Sequence, residues 1–202
     1  QMCIRDSLLG GRSDYTPQEL APLNIPYVCC SYDNQYGTLP PDSYASVSIA
    51  DEEEACRAVT ELYRCGHRRI AALVSGTEDR SISQLRYQGY VRALAAHGLP
   101  LEQELVIEAG SFDIRQSYLA MQRRLLAGAQ FTALFAISDN MAIGAMRALR
   151  EAGRRIPEDC SVIAIDGLTV SDYINPTLTT LCQPMEHMGR RSVEILMDMI
   201  HG

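Results

Sequence analysis

The feature that most constrains this chain is a regular alternation of short apolar runs with amphipathic helical patterns. Four apolar runs of strand length begin at Arg69, Glu104, Thr132 and Cys160, so the repeat is 28 to 35 residues. Apolar side chains at helical spacing separate these runs, and each of those helical patterns ends at a glycine. The repeat has the size of a βα unit. It predicts an α/β fold with a parallel sheet and helices on both faces.

The pattern is thinner on either side of this block. Residues 26–30 predict one strand, after a helix over residues 17–23, and residues 45–49 predict a second, short strand. Residues 177–181 are extended between two prolines, and residues 185–200 have the apolar spacing of a final helix.

Charge and composition exclude several classes of protein. The chain has 25 acidic and 18 basic residues, and every basic residue is an arginine. Without lysine, Schiff-base aldolases, pyridoxal-phosphate enzymes and P-loop nucleotide binding are excluded. Arginine suits hydrogen bonding to hydroxyls, carboxylates or phosphates. A GC-rich coding sequence would also explain the bias, so it does not by itself indicate function.

The sequence also predicts the cellular compartment of the chain and the kinds of partner it does not bind. No apolar run reaches the roughly 18 residues of a membrane span, so no membrane partner is expected. The net charge of −7 argues against nucleic-acid binding by this chain itself. Seven cysteines without a C-x-x-C pair favour a reducing cytoplasm, and we expect neither a metal nor a cofactor.

Both ends of the sequence look cut. Residues 1–7 (QMCIRDS) resemble a translated adapter from a sequencing library, and no secretory signal opens the chain. The chain stops at the end of a helical pattern. We therefore expect an internal fragment of a longer protein.

Polar side chains follow the predicted strands, where ligands bind in an open parallel sheet. Arginine forks donate to hydroxyls, carboxylates accept from them, and an aromatic ring covers the apolar face of a sugar. The sequence therefore predicts a site for a small polyol. Other roles remain open: a solvated Arg86, Asp139 as a helix N-cap, and Phe112 in the core. The candidate ligand-binding residues are Arg80, Arg86, Phe112, Ser138, Asp139 and Asp166.

Signals for an enzyme are weak. The chain contains no G-x-S-x-G, G-x-G-x-x-G or H-E-x-x-H motif. Asp139 and Asp166 could form a carboxylate pair of the glycosidase kind, but two acidic residues at strand ends are common. We expect no catalytic residue.

Four stretches resemble the effector-binding core of LacI-family transcriptional regulators. They are CGHRRIAALVSG (65–76), RSISQLRYQGYVRAL (80–94), SDNMAIGAMRALREAGRRIPEDCSVIAIDG (138–167) and NPTLTTLCQPMEHMGRRSVEILMDMI (175–200). The resemblance covers residues 8–200. It implies the two-lobed periplasmic-binding-protein type I fold, with a ligand cleft between two α/β lobes.

The resemblance also implies roles for individual residues. Arg86 and Arg80 match arginines that contact the effector, and Phe112 matches an aromatic residue that stacks on it. Asp166 matches the cleft aspartate, whereas Ser138 stands where many members have asparagine. Three further departures from the family pattern lie at Ser31, Ala50 and Gly167.

The resemblance further implies a division into lobes. Residues 8–49 and 177–202 would belong to an amino-terminal lobe that is incomplete here, and residues 50–176 to the carboxyl-terminal lobe. Family members begin with a helix-turn-helix headpiece, which is not in this sequence. We expect the fragment alone to be poorly stable, because the incomplete lobe leaves a sheet edge exposed.

The function implied is allosteric. A sugar-like effector would alter how a homodimer presents its absent headpieces to operator DNA. Ile143, Met146 and Tyr173 match dimer-interface positions, although core packing would also explain them. A secreted sugar-binding protein of a transport system is the alternative with the same fold, and a glycoside-acting enzyme is a weaker one.

Overall fold

The computed structural model describes residues 7–9, 13–23 and 25–201. These residues divide into two compact units. Unit 1 holds the described residues of Gln1–Ala50, Arg80–Ile82 and Pro184–Gly202, and unit 2 holds Asp51–Asp79 and Ser83–Gln183. Of the expected adapter sequence, residues 1–6 lie outside the described residues, and Ser7 begins the first strand.

Strands and helices follow one another along the chain much as the periodicity predicts. In chain order they are β1 (Ser7–Leu9), α1 (Pro17–Leu20), β2 (Tyr27–Cys30), β3 (Ala45–Val47), α2 (Asp51–Arg64), β4 (Ile70–Val74), α3 (Ile82–Ala96), β5 (Val106–Glu108), α4 (Ile114–Leu126), β6 (Ala133–Ala136), α5 (Asp139–Glu151), β7 (Ser161–Asp166), β8 (Thr179–Cys182) and α6 (Met185–His201). None of the described helices is long and apolar enough to cross a bilayer.

Unit 2 is built on a five-stranded parallel sheet in the order β5-β4-β6-β7-β8. Every residue of β4 and β6 is buried, as expected for central strands covered on both faces. Helices α2 and α5 pack against β6 and β7, and α4 packs against β5 and α5. The predicted parallel α/β fold is therefore confirmed.

Unit 1 contains a smaller parallel sheet. Its order is β1-β2-β3, and α6 packs against β2 and β3. Three buried side chains, Leu20, Tyr27 and Leu39, form its core cluster, with Tyr15 and Tyr44 packed against them. The strand β1 was not predicted, because only three residues form it and the first falls in the supposed adapter.

The structure differs from the expected lobe boundary at residue 177. Strand β8 was expected to lie in the amino-terminal lobe with the final helix. Instead it pairs with β7, from Ile163 opposite Thr179 to Asp166 opposite Cys182, and it completes the sheet of unit 2. The chain joins unit 1 at Pro184. The expected boundary is wrong by seven residues, because an extended segment between two prolines can complete the edge of either sheet.

Helix α3 approaches α2 closely at Gly89. A Cβ atom at this position would lie 2.7 Å from Ala55 Cβ and 2.9 Å from the backbone nitrogen of Cys56, which no real side chain tolerates. Glycine is therefore required at this contact for steric reasons rather than for backbone conformation.

We expect Gly89→Ala to lower the free energy of unfolding by about 1–3 kcal/mol, because the added methyl group must push the two helices apart. The helical Gly189 has no atom within 4 Å of its hypothetical Cβ. Gly189→Ala is therefore the control, and it should leave stability unchanged or raise it by up to about 1 kcal/mol. Urea unfolding of the two variants measures the difference. Equal stability of both variants would contradict the close approach at Gly89.

Candidate functional site

The polar side chains predicted to bind ligand gather mainly at the carboxyl edge of the unit 2 sheet. In a parallel sheet all strands end at the same edge, so residues following β6, β7 and β8 come together there. Arg86, in the second turn of α3, contributes its guanidinium to this edge, and only 3% of its side chain is exposed. A cation this deeply buried requires partners in the protein.

Arg86 joins three segments of unit 2 through its donors. Its Nε donates to Oδ1 of Asp51 at 2.8 Å, and its Nη1 donates to Oδ1 of Asp166 at 3.2 Å and to the carbonyl oxygen of Ile137. Gln183, directly after β8, donates its Nε2 to the same Asp166 oxygen at 2.7 Å. We call Asp51, Arg86, Asp166 and Gln183 the Arg86 cluster.

Two carboxylates share the single guanidinium of this cluster. Burial raises the pKa of Asp51, and the charge and hydrogen bond of Arg86 oppose that rise. Burial likewise raises the pKa of Asp166, against the opposing effects of Arg86 and Gln183. Both shifts have the same origin, since desolvation penalises the charged form. The cluster thus stays intact only while Arg86 neutralises buried negative charge.

Asp166 is the most accessible of the three charged groups. Its side chain is 20% exposed, against 3% for Asp51 and 3% for Arg86. Its backbone has φ +150°, a conformation that L-residues rarely adopt, and Gly167 follows with φ +75°. A Cβ at Gly167 would lie 2.7 Å from Cys182 Sγ, so the chain turns tightly against β8 here. Such unusual backbone is frequently found where a side chain is held ready for a ligand.

Asp139 makes its hydrogen bonds within unit 2. Its carboxylate is completely buried and accepts three hydrogen bonds from protein groups. Oδ2 accepts from the Leu168 backbone nitrogen and from Ser171 Oγ, both at 2.7 Å, and Oδ1 accepts from Thr180 Oγ1 at 2.6 Å. Asp139 therefore anchors the loop after β7 and the strand β8 to the start of α5. With both oxygens used inside the protein, it is poorly placed for a glycosidase-like pair with Asp166.

Ser138, not Asp139, caps helix α5. Its Oγ accepts from the backbone nitrogen of Met141 at 3.3 Å, and its backbone is extended as an N-cap requires. The alternative of Asp139 as the N-cap is therefore wrong. Ser138 is 4% exposed and lies at the same sheet edge as the Arg86 cluster.

The two remaining candidates are Phe112 and Arg80. Phe112 is 38% exposed on the loop between β5 and α4, so it is not a core residue. Arg80 is exposed, has φ +52°, and belongs with unit 1. Of the six candidates, the structure brings Arg86 and Asp166 into direct contact.

Two members of the cluster were missed by sequence reasoning. Asp51 shares one helical face with the buried residues Ala55, Val59 and Leu62, a pattern that could have distinguished it from the exposed charges beside it. It directly follows Ala50, where the family pattern often has aspartate. Gln183 was missed because β8 was assigned to the other lobe. Among the described residues, no group of three or more histidine, cysteine or acidic side chains could hold a metal ion.

A groove of about 610 Å³ lies along the outer face of α5. Of the predicted interface residues, Ile143 and Met146 line it, and Tyr173, which directly precedes the lining residue Ile174 in the chain, is 83% exposed. Met146 is 4% exposed, so it also packs in the core, as the alternative role held. The lining residues are Ile143, Met146, Arg147, Arg150, Glu151, Ile174 and Asn175.

Comparison with known proteins decides the family. Residues 59–202 match the family described as periplasmic binding protein-like domain. The chain is 36% identical to the transcriptional regulator CelR of Thermobifida fusca over 191 residues. This aligned stretch covers 95% of this chain and 55% of CelR. The chain is a periplasmic binding protein-like domain of the LacI family. The resemblance drawn from the sequence motifs is thereby confirmed.

Other relatives agree with this assignment. The transcriptional repressor CytR of Escherichia coli K12 is 32% identical over 195 residues, which are 96% of this chain and 55% of CytR. A solved structure of a CelR–cellobiose complex superposes with a TM-score of 0.88 at 34% identity, covering 99% of this chain and 60% of that one. The chain thus spans about half the length of these curated relatives. They are transcriptional regulators by name, which agrees with the expectation that this LacI-family domain is not an enzyme.

We expect Asp139→Ala to lower the free energy of unfolding by about 3 kcal/mol, because it leaves one buried and two half-buried donors without their acceptor. The control is Asp172→Ala, which removes an exposed carboxylate from the same loop and should change stability by less than about 0.5 kcal/mol. Urea unfolding measures both. Unchanged stability of Asp139→Ala together with weakened ligand binding would instead make Asp139 a ligand residue.

Proposed function

We propose that this domain is the effector-binding part of a LacI-type transcriptional regulator. It binds a small sugar-like polyol at the carboxyl edge of the unit 2 sheet, and binding controls operator recognition by a separate helix-turn-helix segment. The observation that supports this most directly is the Arg86 cluster, in which a partly exposed Asp166 is held in place by a buried arginine and by Gln183.

The chemistry of the edge suits hydroxyl groups. The Asp166 carboxylate accepts hydrogen bonds from hydroxyls, and the Gln183 amide both donates and accepts. The exposed ring of Phe112 offers an apolar surface to the C–H face of a sugar. The cellobiose bound in the CelR complex is an example of such a ligand in a similar protein. We expect no cofactor, and we place the regulator in the cytoplasm.

The relatives favour regulation over transport. A secreted sugar-binding protein would share the fold, but CelR and CytR are both named as transcriptional regulators. The proposed regulator acts as a homodimer through the α5 face. The composition of that face supports a role as a dimer interface, because apolar side chains and an ion pair lie side by side along the groove. The ion pair joins Arg147 Nε to Glu151 Oε1 at 2.9 Å.

Asp166→Asn in the full-length protein should weaken sugar binding by about tenfold to hundredfold, because hydrogen bonds from hydroxyls to a charged acceptor are replaced by weaker neutral ones. Calorimetric titration with sugars that stabilise the wild type in a thermal-shift screen, cellobiose and ribose among them, measures the loss. Gel shift with operator DNA then tests whether the same sugars change operator affinity.

The matched control for that experiment is Asp159→Asn. Asp159 is paired with Arg155 at 2.8 Å on the loop that precedes β7, at the opposite end of the sheet. Its substitution should leave sugar affinity unchanged. Equal affinity of the wild type and Asp166→Asn would show that the site lies elsewhere, and turnover of a glycoside would return an enzyme to consideration.

Tyr173→Ala should raise the dimer dissociation constant at least tenfold, because it removes a large exposed aromatic side chain from the proposed interface. Leu126 is 86% exposed at the end of α4, and Leu126→Ala is the matched control. Sedimentation equilibrium of the full-length protein measures the constant. A dimer equally tight in both variants would exclude the α5 face as the interface.

A further inference from the structure

The guanidinium of Arg86 already makes its hydrogen bonds to protein groups. The Arg86 Nε lies 2.8 Å from Asp51 Oδ1, and the Arg86 Nη1 donates both to Asp166 Oδ1 at 3.2 Å and to the Ile137 carbonyl oxygen. Within the described part of the chain, Arg86 is the only arginine that is less than a tenth exposed. The charge of this buried guanidinium is therefore compensated by two carboxylates.

A further carboxylate increases the negative charge beside the cluster. Asp139 accepts only from neutral donors, so its charge is not compensated by a cation. Burial raises the pKa of Asp51 and of Asp166, so each takes up a proton more readily than an exposed carboxyl group. Protonation reduces the negative charge but adds no positive charge.

The excess of negative over positive charge at this edge has a consequence for the ligand. A phosphate or carboxylate placed against Asp166 would meet like charge at a partly exposed group, where repulsion is stronger than in open water. Hydroxyl groups meet no such repulsion and donate to the same oxygens. The charges of the edge therefore discriminate between neutral sugars and their acidic derivatives.

We infer that this edge selects a neutral polyhydroxylated effector against sugar acids and sugar phosphates, and that Asp51 is the residue that sets this selectivity. The inference rests on the function proposed above. Asp51 is 3% exposed and acts through Arg86, whose charge it neutralises. Asp166 is shared with the ligand itself, whereas Asp51 can be changed without removing a ligand contact.

Asp51→Asn is the decisive variant. Asparagine keeps an oxygen that can accept from Arg86 Nε but removes one negative charge, so the guanidinium charge is less neutralised and an anion near Asp166 is repelled less. Thermal shift and calorimetry of the full-length protein would compare glucose with glucuronate and glucose 6-phosphate, and ribose with ribose 5-phosphate. In the wild type we expect each neutral sugar that binds to bind at least tenfold more tightly than its anionic counterpart, and Asp51→Asn should reduce this ratio at least tenfold.

The matched control is Glu108→Gln, which also removes one carboxylate from the same edge but does not contact Arg86 in any observed hydrogen bond. It should change the ratio by less than threefold. A second measurement needs no variant. Raising the salt concentration should tighten binding of the anionic sugars to the wild type, because repulsion is screened, and should leave the neutral sugars unaffected.

The outcomes separate this inference from the proposed function. Wild-type protein that binds a sugar phosphate or uronate as tightly as the neutral sugar overturns the selectivity. A Glu108→Gln effect as large as that of Asp51→Asn overturns the role of Asp51 in particular. Circular dichroism verifies that Asp51→Asn folds, and if it does not, the salt dependence of the wild type decides. The absence of binding by any sugar, neutral or anionic, is instead the failure of the proposed function.

Discussion

The site of this protein depends on one buried arginine. Arg86 connects the start of α2, the end of β6 and the end of β7 through bonds to Asp51, Ile137 and Asp166. Removing a partner from a buried ion pair leaves an uncompensated charge, which costs far more than the pair contributes when intact. The same bonds that hold the three segments together thus also fix the charge that a ligand meets.

The parallel topology of the unit 2 sheet explains why so few residues are enough to form the candidate site. Strands β4 and β6 are apolar throughout, so these two central strands contribute no polar side chain to the interior of the unit 2 sheet. At the carboxyl edge, each strand delivers one or two polar side chains at a spacing fixed by the sheet. Arg86 then reaches this edge from a helix, and Gln183 reaches it from the strand that closes the sheet.

Much of this fold follows from the sequence, and the limits of prediction are physical. The apolar runs and the glycines after each helix located β4 to β7 to within two residues, because burial on both faces requires an unbroken apolar segment. Tertiary contacts decide which sheet an edge strand joins, and the local sequence pattern does not record them. For this reason β8 was placed in the wrong unit. The same error concealed Gln183.

The site was predicted only in part for a related reason. Arg86 and Asp166 follow from their position near strand ends. Asp51 lies in a run of four acidic residues, and only its register with Ala55 and Val59 separates it from the exposed glutamates. Asp139 was predicted to bind ligand from its residue type and position, and its buried carboxylate accepts from three protein donors through long-range bonds that no local pattern records.

The three bonds of Asp139 also have a mechanical consequence. The first residue of α5 is tied to the backbone after Asp166, to the following helical turn and to β8, all through one side chain. The loop that begins at Asp166 therefore cannot shift independently of the helix that carries the α5 groove. Within unit 2, the sheet edge could be displaced without moving that helix only if these three hydrogen bonds were broken.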